Sequence, residues 1–191
     1  MSTITRTRRL LASLGAVAAV AGAVVAGAPA AQAATRADAC DQAPAPALTT
    51  RWDVHNGSGG GALDLLNGNE VNGQPIGLWT ANQSPAQTWS FWGYCDGTTA
   101  ISHGLSKVAG LDTGSGSVRL QDTPGGLDGL NRPRGDWMPA NQKWRLTDED
   151  RGWYLIRNVA TGQCLKAPGT YQAVSMASCD TADPNQRWLL G

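Results

Sequence analysis

The sequence is poor in the residue types on which many functional sites depend. Its 191 residues include only two His and four Cys, and no two Cys form a C-x-x-C pair. These shortages argue against a structural zinc site and a thioredoxin-like redox motif, which need closely spaced ligands or thiols. We therefore expect no metal ion and no cofactor. His55 and His103 also lack a Ser or Cys partner at a recognisable spacing, so a catalytic triad has no support.

The first 33 residues have the composition of a secretory signal peptide. Arg6, Arg8 and Arg9 precede an Ala/Leu/Val-rich run that ends in "APAAQA", which fits the A-x-A cleavage pattern. We expect cleavage before Ala34, and the alternative is an uncleaved anchor, because the run is about long enough to span a bilayer. The mature protein is then secreted and extracellular, has no membrane contact, and starts with a Pro/Ala-rich lead-in at 34–49.

Charge limits the possible partners. Removing the signal peptide takes away three Arg and no acidic residue, which leaves 12 basic and 15 acidic side chains and a net charge of −3. The basic residues are scattered, and we interpret the densest group, "NRPRG" at 131–135, as a solvated loop. Because nucleic-acid-binding surfaces need clustered Lys and Arg, the sequence predicts no nucleic-acid partner.

Three copies of one pattern occupy the rest of the chain. A Gln-x-Trp tripeptide closes each copy, ending at Trp89, Trp144 and Trp188. Upstream of these, "ALDLLNGNEVNGQPIGLW" aligns without a gap on "GLSKVAGLDTGSGSVRLQ" and with a four-residue deletion on "CLKAPGTYQAVSMA". Residues 50–191 therefore form three repeats, at about 50–92, 93–147 and 148–191, and the second repeat carries an insertion at 124–140.

Each repeat has the pattern of short strands and turns. Gly, Asn and Pro interrupt the chain every 8 to 12 residues, and no mature stretch of 12 or more residues has a period of 3.6. We therefore expect an all-β domain with little or no helix outside the signal peptide. Three units of about four strands each predict a closed, pseudo-threefold structure without exposed sheet edges.

These features together resemble the ricin-type lectin family, a β-trefoil that is also known as a carbohydrate-binding module. The residues that carry the resemblance are the three Gln-x-Trp copies and "CLK" followed by a second Cys 15 residues later, and it covers about 140 residues. The resemblance implies a non-catalytic, monomeric protein with carbohydrate as its partner. It also implies that Trp89, Trp144 and Trp188 are buried core residues.

The resemblance further implies where sugar contacts lie in each repeat: an Asp, an aromatic residue about 15 positions later, and an Asn before the Gln of Gln-x-Trp. A carboxylate accepts hydrogen bonds from hydroxyls, an amide donates and accepts, and an aromatic face packs on the apolar face of a sugar ring. The first repeat has Asp64 and Trp79 but Ala86 at the Asn position. We expect one partly retained site, in which the missing amide is replaced by Gln87, Asn67, Asn69 or Asn72.

The other repeats keep less of this set. At the Asp and aromatic positions the second repeat has Ser106 and Gln121, and the third has Lys166 and Ala177. An alternative interpretation of the first repeat is that Asp64 bonds to the backbone of an "LNGN" turn and Trp79 is a leftover surface or core aromatic.

The four Cys all follow the predicted cleavage point, and an even number in an oxidising compartment favours two disulfides. The resemblance implies that Cys164 pairs with Cys179. Cys40 and Cys95 then pair with each other and tie the lead-in to the start of the second repeat.

Enzyme motifs are incomplete. "LDTGSG" contains one Asp-Thr-Gly, whereas pepsin-like proteases need two such aspartates. The repeats account for the chain and leave no room for a catalytic domain, so we expect no enzyme. The rival hypothesis is a degenerate trefoil without sugar binding that acts as a protein-interaction or hydrolase-inhibitor module through the insertion, which carries Trp137. The two hypotheses differ in whether Trp79 is exposed beside Asp64 in a concave site or Trp137 stands out on the insertion.

Overall fold

The computed structural model describes residues 51–103, 107–112, 114–123, 125–128 and 132–191. The predicted signal peptide and the lead-in lie outside these ranges, as does Cys40. Within them the chain forms twelve β-strands and four short 3₁₀ turns, without an α-helix. None of these residues forms a helix with the length and apolar character needed to cross a membrane.

The strands fall into three units of four. The first unit contains β1 (Arg51–Asn56), β2 (Ala62–Leu65), β3 (Ile76–Trp79) and β4 (Thr88–Gly93). The second contains β5 (Thr99–His103), β6 (Lys107–Asp112), β7 (Ser117–Asp122) and β8 (Trp144–Asp150). The third contains β9 (Trp153–Asn158), β10 (Cys164–Lys166), β11 (Ser175–Ala177) and β12 (Arg187–Leu190).

The first and last strands of the units close a six-stranded barrel. The antiparallel pairs run from β1 to β4, β5, β8, β9 and β12, and β12 pairs with β1 again. The two inner strands of each unit form a hairpin, and the hairpins contact one another through β7–β11 pairing and through isolated bridges at Pro75–Arg119 and Gly77–Ala173. This arrangement is a β-trefoil, and the predicted all-β trefoil of three pseudo-symmetric repeats is confirmed.

Alternating side chains build the core. In β4, Trp89 and Phe91 are buried while the intervening Ser90 is only half-buried, as expected for a strand with one face toward the interior. Trp89, Trp144 and Trp188 are 0% exposed and lie in one cluster with aliphatic residues from all three units. The shared core holds the hairpins in fixed positions relative to the barrel.

Disulfides fasten two parts of the fold. Cys164 and Cys179 are bonded, with their Cα atoms 5.0 Å apart, so this predicted pair is confirmed. Cys95, in the connection between β4 and β5, is also in a disulfide. Its predicted partner, Cys40, lies outside the described residues.

Candidate functional site

The buried tryptophans show which residues match between the units. Each indole N–H donates a hydrogen bond to a backbone carbonyl in the first strand of its unit's hairpin. In unit order the acceptors are Leu63 at 2.9 Å, Ala109 at 2.8 Å and Leu165 at 3.1 Å. The residue after each acceptor is therefore the matched position, which is Asp64 in the first unit, Gly110 in the second and Lys166 in the third.

This match corrects the predicted placement of Ser106. In the strand register Asp64 pairs with Gly77, and Gly110 pairs with Arg119. The pair 62 and 79 of the first hairpin matches the pair 108 and 121 of the second, so the first hairpin is four residues longer between matched positions. A gapless alignment cannot show this difference, because it shifts the first strand by four residues. Ser106 itself lies outside the described residues.

Asp64 sits at the base of the first hairpin. The residue is 6% exposed, and its Oδ2 accepts a hydrogen bond of 3.1 Å from Nε2 of Gln87. Burial raises the pKa of the Asp64 carboxyl, and the hydrogen bond from Gln87 and the charge of His103 partly oppose this effect. The carboxylate is thus held by a side chain, and the predicted alternative, a bond to the turn backbone, does not occur among the described residues.

Gln87 is a positioning residue. It is 0% exposed, and its Nε2 donates to Asp64 and to the carbonyl oxygen of Thr80 at 3.0 Å. Its Oε1 accepts the backbone N–H of Asn82 at 2.9 Å. Both ends of the amide are in use, so Gln87 does not take the place of the missing Asn that the sequence assigned to it.

Trp79 ends β3 with an exposed ring. Its relative exposure is 41%, and the ring packs against Tyr171 with centroids 4.3 Å apart and planes at 76°. The Tyr171 hydroxyl shares a hydrogen bond of 2.9 Å with the Thr80 hydroxyl. Tyr171 belongs to a loop of the third unit that pairs with β3, since its backbone N–H donates to the carbonyl oxygen of Leu78 at 2.6 Å. The edge-to-face contact holds the indole in place beside Asp64.

These residues border a cleft of about 300 Å³, which we call the first cleft. Its lining residues are Asp64, Asn67, Gly68, Trp79 and Asn82. The predicted residues Asp64, Trp79 and Asn67 are therefore brought together. Asn67 has left-handed backbone angles, φ 66° and ψ 3°, which Asn adopts more readily than most residues, and this turn forms one wall.

The loop that carries this wall is fastened to the second unit. Oε1 of Glu70 lies 2.9 Å from Nδ1 of His103, and Nε2 of His103 lies 3.0 Å from the carbonyl oxygen of Pro85. His103 is 5% exposed and packs edge-on against Trp89. The loop of the first hairpin thus approaches a buried side chain of the second unit through Glu70.

Two lining or supporting residues were not predicted. Asn82 follows Trp79 by three positions and lines the first cleft, and a search for amides between β3 and Gln-x-Trp could have found it. Tyr171 reaches the site from 91 residues beyond Thr80. No local pattern in the sequence signals that contact, because it depends on how the first and third units pack.

The Asn that the first unit lacks has a structural role in the other units. Nδ2 of Asn141 donates to the carbonyl oxygen of Leu111 at 2.8 Å, and Nδ2 of Asn185 donates to Oδ1 of Asp183 at 2.9 Å. Ala86 instead packs against the core. An apolar side chain therefore takes the place of this amide in the first unit.

The matched faces of the other units have different chemistry. The second unit borders a larger cleft of about 340 Å³, lined by Asn72, Gly73, Asp112, Arg119, Gln121, Asp122 and Gln142. No aromatic side chain is among these described residues. In the third unit Nζ of Lys166 lies 2.9 Å from Oδ2 of Asp183, which fills the carboxylate position with an ion pair. We assign the first cleft as the candidate site, although it is smaller, because its described lining combines a carboxylate with an exposed aromatic ring, which the described lining of the larger cleft does not.

The insertion also presents an aromatic ring. Trp137 is 60% exposed, and the guanidinium carbon of Arg134 lies 6.0 Å from the ring centroid. Both features that the sequence offered as alternatives are therefore present: an exposed Trp79 beside Asp64, and an exposed Trp137.

Within the described ranges, no group of three or more His, Cys, Asp or Glu side chains could hold a metal ion.

Comparisons with known proteins bear on both the fold and the site. Residues 50–188 match the family model of the ricin-type beta-trefoil lectin domain. Polypeptide N-acetylgalactosaminyltransferase 6 of Bos taurus is 27% identical over 123 residues, which are 63% of this chain and 17% of that protein. This chain thus spans a small part of that relative's length.

Solved structures show the same fold. The Rhizoctonia solani agglutinin has a TM-score of 0.56 at 18% identity, covering 78% of this chain and 98% of that chain. SeviL bound to asialo-GM1 saccharide has a TM-score of 0.55 at 18% identity, covering 75% of this chain and 97% of that chain. At these identities the likeness concerns the fold.

Proposed function

This chain belongs to the ricin-type beta-trefoil lectin domain family, and we propose that it is a secreted, non-catalytic carbohydrate-binding protein whose first cleft holds one sugar residue. The observation that carries the proposal is the exposed ring of Trp79 beside the carboxylate of Asp64 in one concave surface. SeviL, which shares the fold, is bound to a saccharide, and this supports the ligand class. Secretion is supported by the signal-like N-terminus and by the disulfides.

Each lining group has a role in this proposal. The apolar face of a sugar ring packs on Trp79, and Asp64 accepts hydrogen bonds from ring hydroxyls. The side chain of Asn67 makes no hydrogen bond within the described part of the chain, so its amide is available to the ligand. Gln87 orients Asp64 and Tyr171 orients Trp79, which reduces the entropy lost on binding.

One cleft with few contacts predicts weak binding. We expect a Kd of roughly millimolar to tens of micromolar, because each tenfold gain in affinity needs about 1.4 kcal/mol. At the matched positions the second unit has Gly110 and Gln121 and the third has Lys166 and Ala177, so we expect no avidity from these units.

The test is a titration of intrinsic Trp fluorescence with galactose, N-acetylgalactosamine, xylose and their oligosaccharides. We expect a saturable shift that Asp64→Ala and Trp79→Ala each reduce by more than about tenfold in affinity, the loss of about 1.4 kcal/mol of contact. Trp137→Ala is the matched control, since it removes another exposed Trp and leaves the first cleft intact. Binding that survives both site variants, or no saturable shift with any sugar, would refute the proposal.

A second candidate function is inhibition of a secreted hydrolase through the insertion, which the exposure of Trp137 favours. The test is to assay a panel of secreted glycosidases and proteases with and without the protein. Inhibition that Trp137→Ala removes and Trp79→Ala does not would support this function.

A further inference from the structure

A second cleft lies beside the segment that carries Trp79. It has a volume of about 290 Å³ and is lined by His55, Asn56, glycines 59–61, Thr80 and Ala81. Gly61 lets the chain pass close to the Trp79 carbonyl and Gly60 lets it pass close to the Thr170 hydroxyl, whereas Gly59 and Ala81 add little or no side chain to the cleft. Gly59 has a φ of 81°, a conformation that favours glycine, and nothing lies within 4 Å of the place where its Cβ would be. The imidazole of His55 makes no hydrogen bond within the described ranges, so it can donate and accept.

The third unit shows why this space is open in the first. Its β10–β11 hairpin pairs Cys164 with Ala177, just as Ala62 pairs with Trp79 in the first unit. Two positions after the second member of each pair lie Cys179 and Ala81. The disulfide Cys164–Cys179 thus corresponds to two alanines in the first unit.

The disulfide occupies the place that corresponds to the second cleft. Sγ of Cys179 lies 3.6 Å from the carbonyl oxygen of Gly162. The backbone N–H of Asn158 donates to the carbonyl oxygen of Gln163 at 2.8 Å, and that of Asn56 donates to the carbonyl oxygen of Gly61 at 2.9 Å. The two turns therefore match, and Gly162 corresponds to Gly60. Replacing the disulfide by two alanines therefore removes sulfur atoms from the wall on which Gly60 lies.

The two clefts share one strand end. Trp79 and Asn82 line the first cleft, whereas Thr80 and Ala81, between them, line the second. Thr80 follows Trp79 directly in the chain, and consecutive Cα atoms are about 3.8 Å apart, so the two linings meet at this segment. Tyr171 connects the clefts, because its ring packs on Trp79 and its hydroxyl bonds to Thr80.

We propose that the second cleft is a further sugar-binding subsite, so that the ligand of this protein is an oligosaccharide of at least two residues. This inference rests on the proposed binding of one sugar residue in the first cleft. The second residue is neutral, because the lining residues include no carboxylate, Lys or Arg to pair with a charged sugar. The hydroxyls of Thr80 and Tyr171 and the imidazole of His55 supply its hydrogen bonds.

The first experiment compares sugars of increasing length on the mature protein. Galactose, β-1,3-galactobiose and galactotriose form one series, and xylose, xylobiose and xylotriose form another. In the series whose monosaccharide binds, we expect the disaccharide to bind about tenfold more tightly, and the trisaccharide to add little. In amide NMR spectra the monosaccharide should shift Gly68 and the Trp79 indole, whereas the disaccharide should also shift glycines 59–61.

The second experiment closes the second cleft. Ala62→Cys with Ala81→Cys introduces the disulfide of the third unit, and Ala81→Leu fills the same space without a new bond, in case the double variant fails to fold. Each should lower the affinity ratio of disaccharide to monosaccharide from about tenfold to about one. Ala182→Leu, an exposed alanine at another loop, is the control and should leave the ratio unchanged.

The outcomes separate the two proposals. Monosaccharide binding without a gain for the disaccharide overturns the second subsite and leaves the first cleft standing. A gain that persists when the cleft is closed, or that comes without shifts at 59–61, also overturns it. No saturable response to any sugar overturns the proposed function and this inference together.

Discussion

The three glutamines of Gln-x-Trp should differ in their contribution to stability, although they occupy matched positions. All are buried, with exposures of 0% for Gln87, 4% for Gln142 and 2% for Gln186. Gln87 makes three hydrogen bonds, to Asp64, Thr80 and Asn82. The same substitution to Ala removes the same volume in each unit, so the cavity term largely cancels between the variants.

The other two glutamines make fewer bonds. Gln186 makes two, since its Nε2 donates to Ser178 and its Oε1 accepts the backbone N–H of Asp180. Gln142 also makes two, both through Nε2, and its buried Oε1 has no partner among the described residues. The residue that corresponds to Asn82 and Asp180 is Pro124, which has no backbone N–H to donate.

The expected losses of unfolding free energy follow from these counts. At about 1 kcal/mol net per hydrogen bond, the bonds are worth about 3 kcal/mol at Gln87 and about 2 kcal/mol at Gln186. The unpaired, buried carbonyl of Gln142 costs the folded protein about 1–3 kcal/mol. Gln142→Ala removes this cost, which offsets the loss of two hydrogen bonds. Gln142→Ala should therefore be the least destabilising variant, by about 2 kcal/mol or more relative to Gln87→Ala.

Urea unfolding monitored by Trp fluorescence measures these differences. The three variants must show the same m-value as the wild type for the midpoints to be compared. Equal losses at all three positions would refute the reasoning, because the cavity term alone would then account for the data. A larger loss at Gln142 than at Gln87 would refute the assignment of the unpaired oxygen.

Further predictions concern the core and two carboxylates. Trp188→Ala should lower the free energy of unfolding by about 3–5 kcal/mol in the same urea assay, because it removes a fully buried indole; a loss below that range would contradict its core role. Burial raises the pKa of Asp64, so sugar affinity should fall as the pH drops through a value above the ordinary 3.8. Asp64→Asn should abolish this dependence in fluorescence titrations at several pH values, and a flat wild-type profile would contradict it. The hydrogen bond from Lys166 lowers the pKa of Asp183 to about 2, so its contribution to stability is present above about 3.8 and is lost as the pH falls toward 2. Asp183→Asn should therefore differ from wild type in urea midpoint at pH 6 and much less at pH 2; an equal difference at both would contradict this.

The repeat pattern predicted the fold because it reflects the core. Gln-x-Trp recurs since each Trp must fill the same place in a threefold interior and donate its indole N–H to the neighbouring hairpin. Such positions tolerate little change and remain visible in sequence. Hairpin length is under weaker packing constraint, because the extra residues of the first hairpin lie in an exposed turn. The gapless alignment therefore failed at Ser106 and succeeded at Gln121.

The site was only partly predictable for a related reason. Asp64, Trp79 and Asn67 lie within one hairpin, so local pattern matching brings them together. Gln87 was one of four amides expected to replace the missing Asn, and its amide is used within the protein, because sequence shows an amide near a carboxylate but not whether the amide is already hydrogen-bonded. Tyr171 was missed because its contact with Trp79 arises from packing between the first and third units.

The first unit differs from the third at positions that contribute to stability in the third unit and border clefts in the first. Where the third unit has the Lys166–Asp183 ion pair and a disulfide, the first has Asp64, which is partly desolvated, and two alanines. These replacements give up cross-links that stabilise the third unit, and two open clefts border the matched positions of the first. At the positions that match Asp64 and Trp79 the second unit has Gly110 and Gln121 and the third has Lys166 and Ala177, so the proposed sugar binding gains no affinity from several matched sites. On this proposal additional affinity comes from more contacts with the same ligand, which we propose the first unit provides in the space left by the missing disulfide.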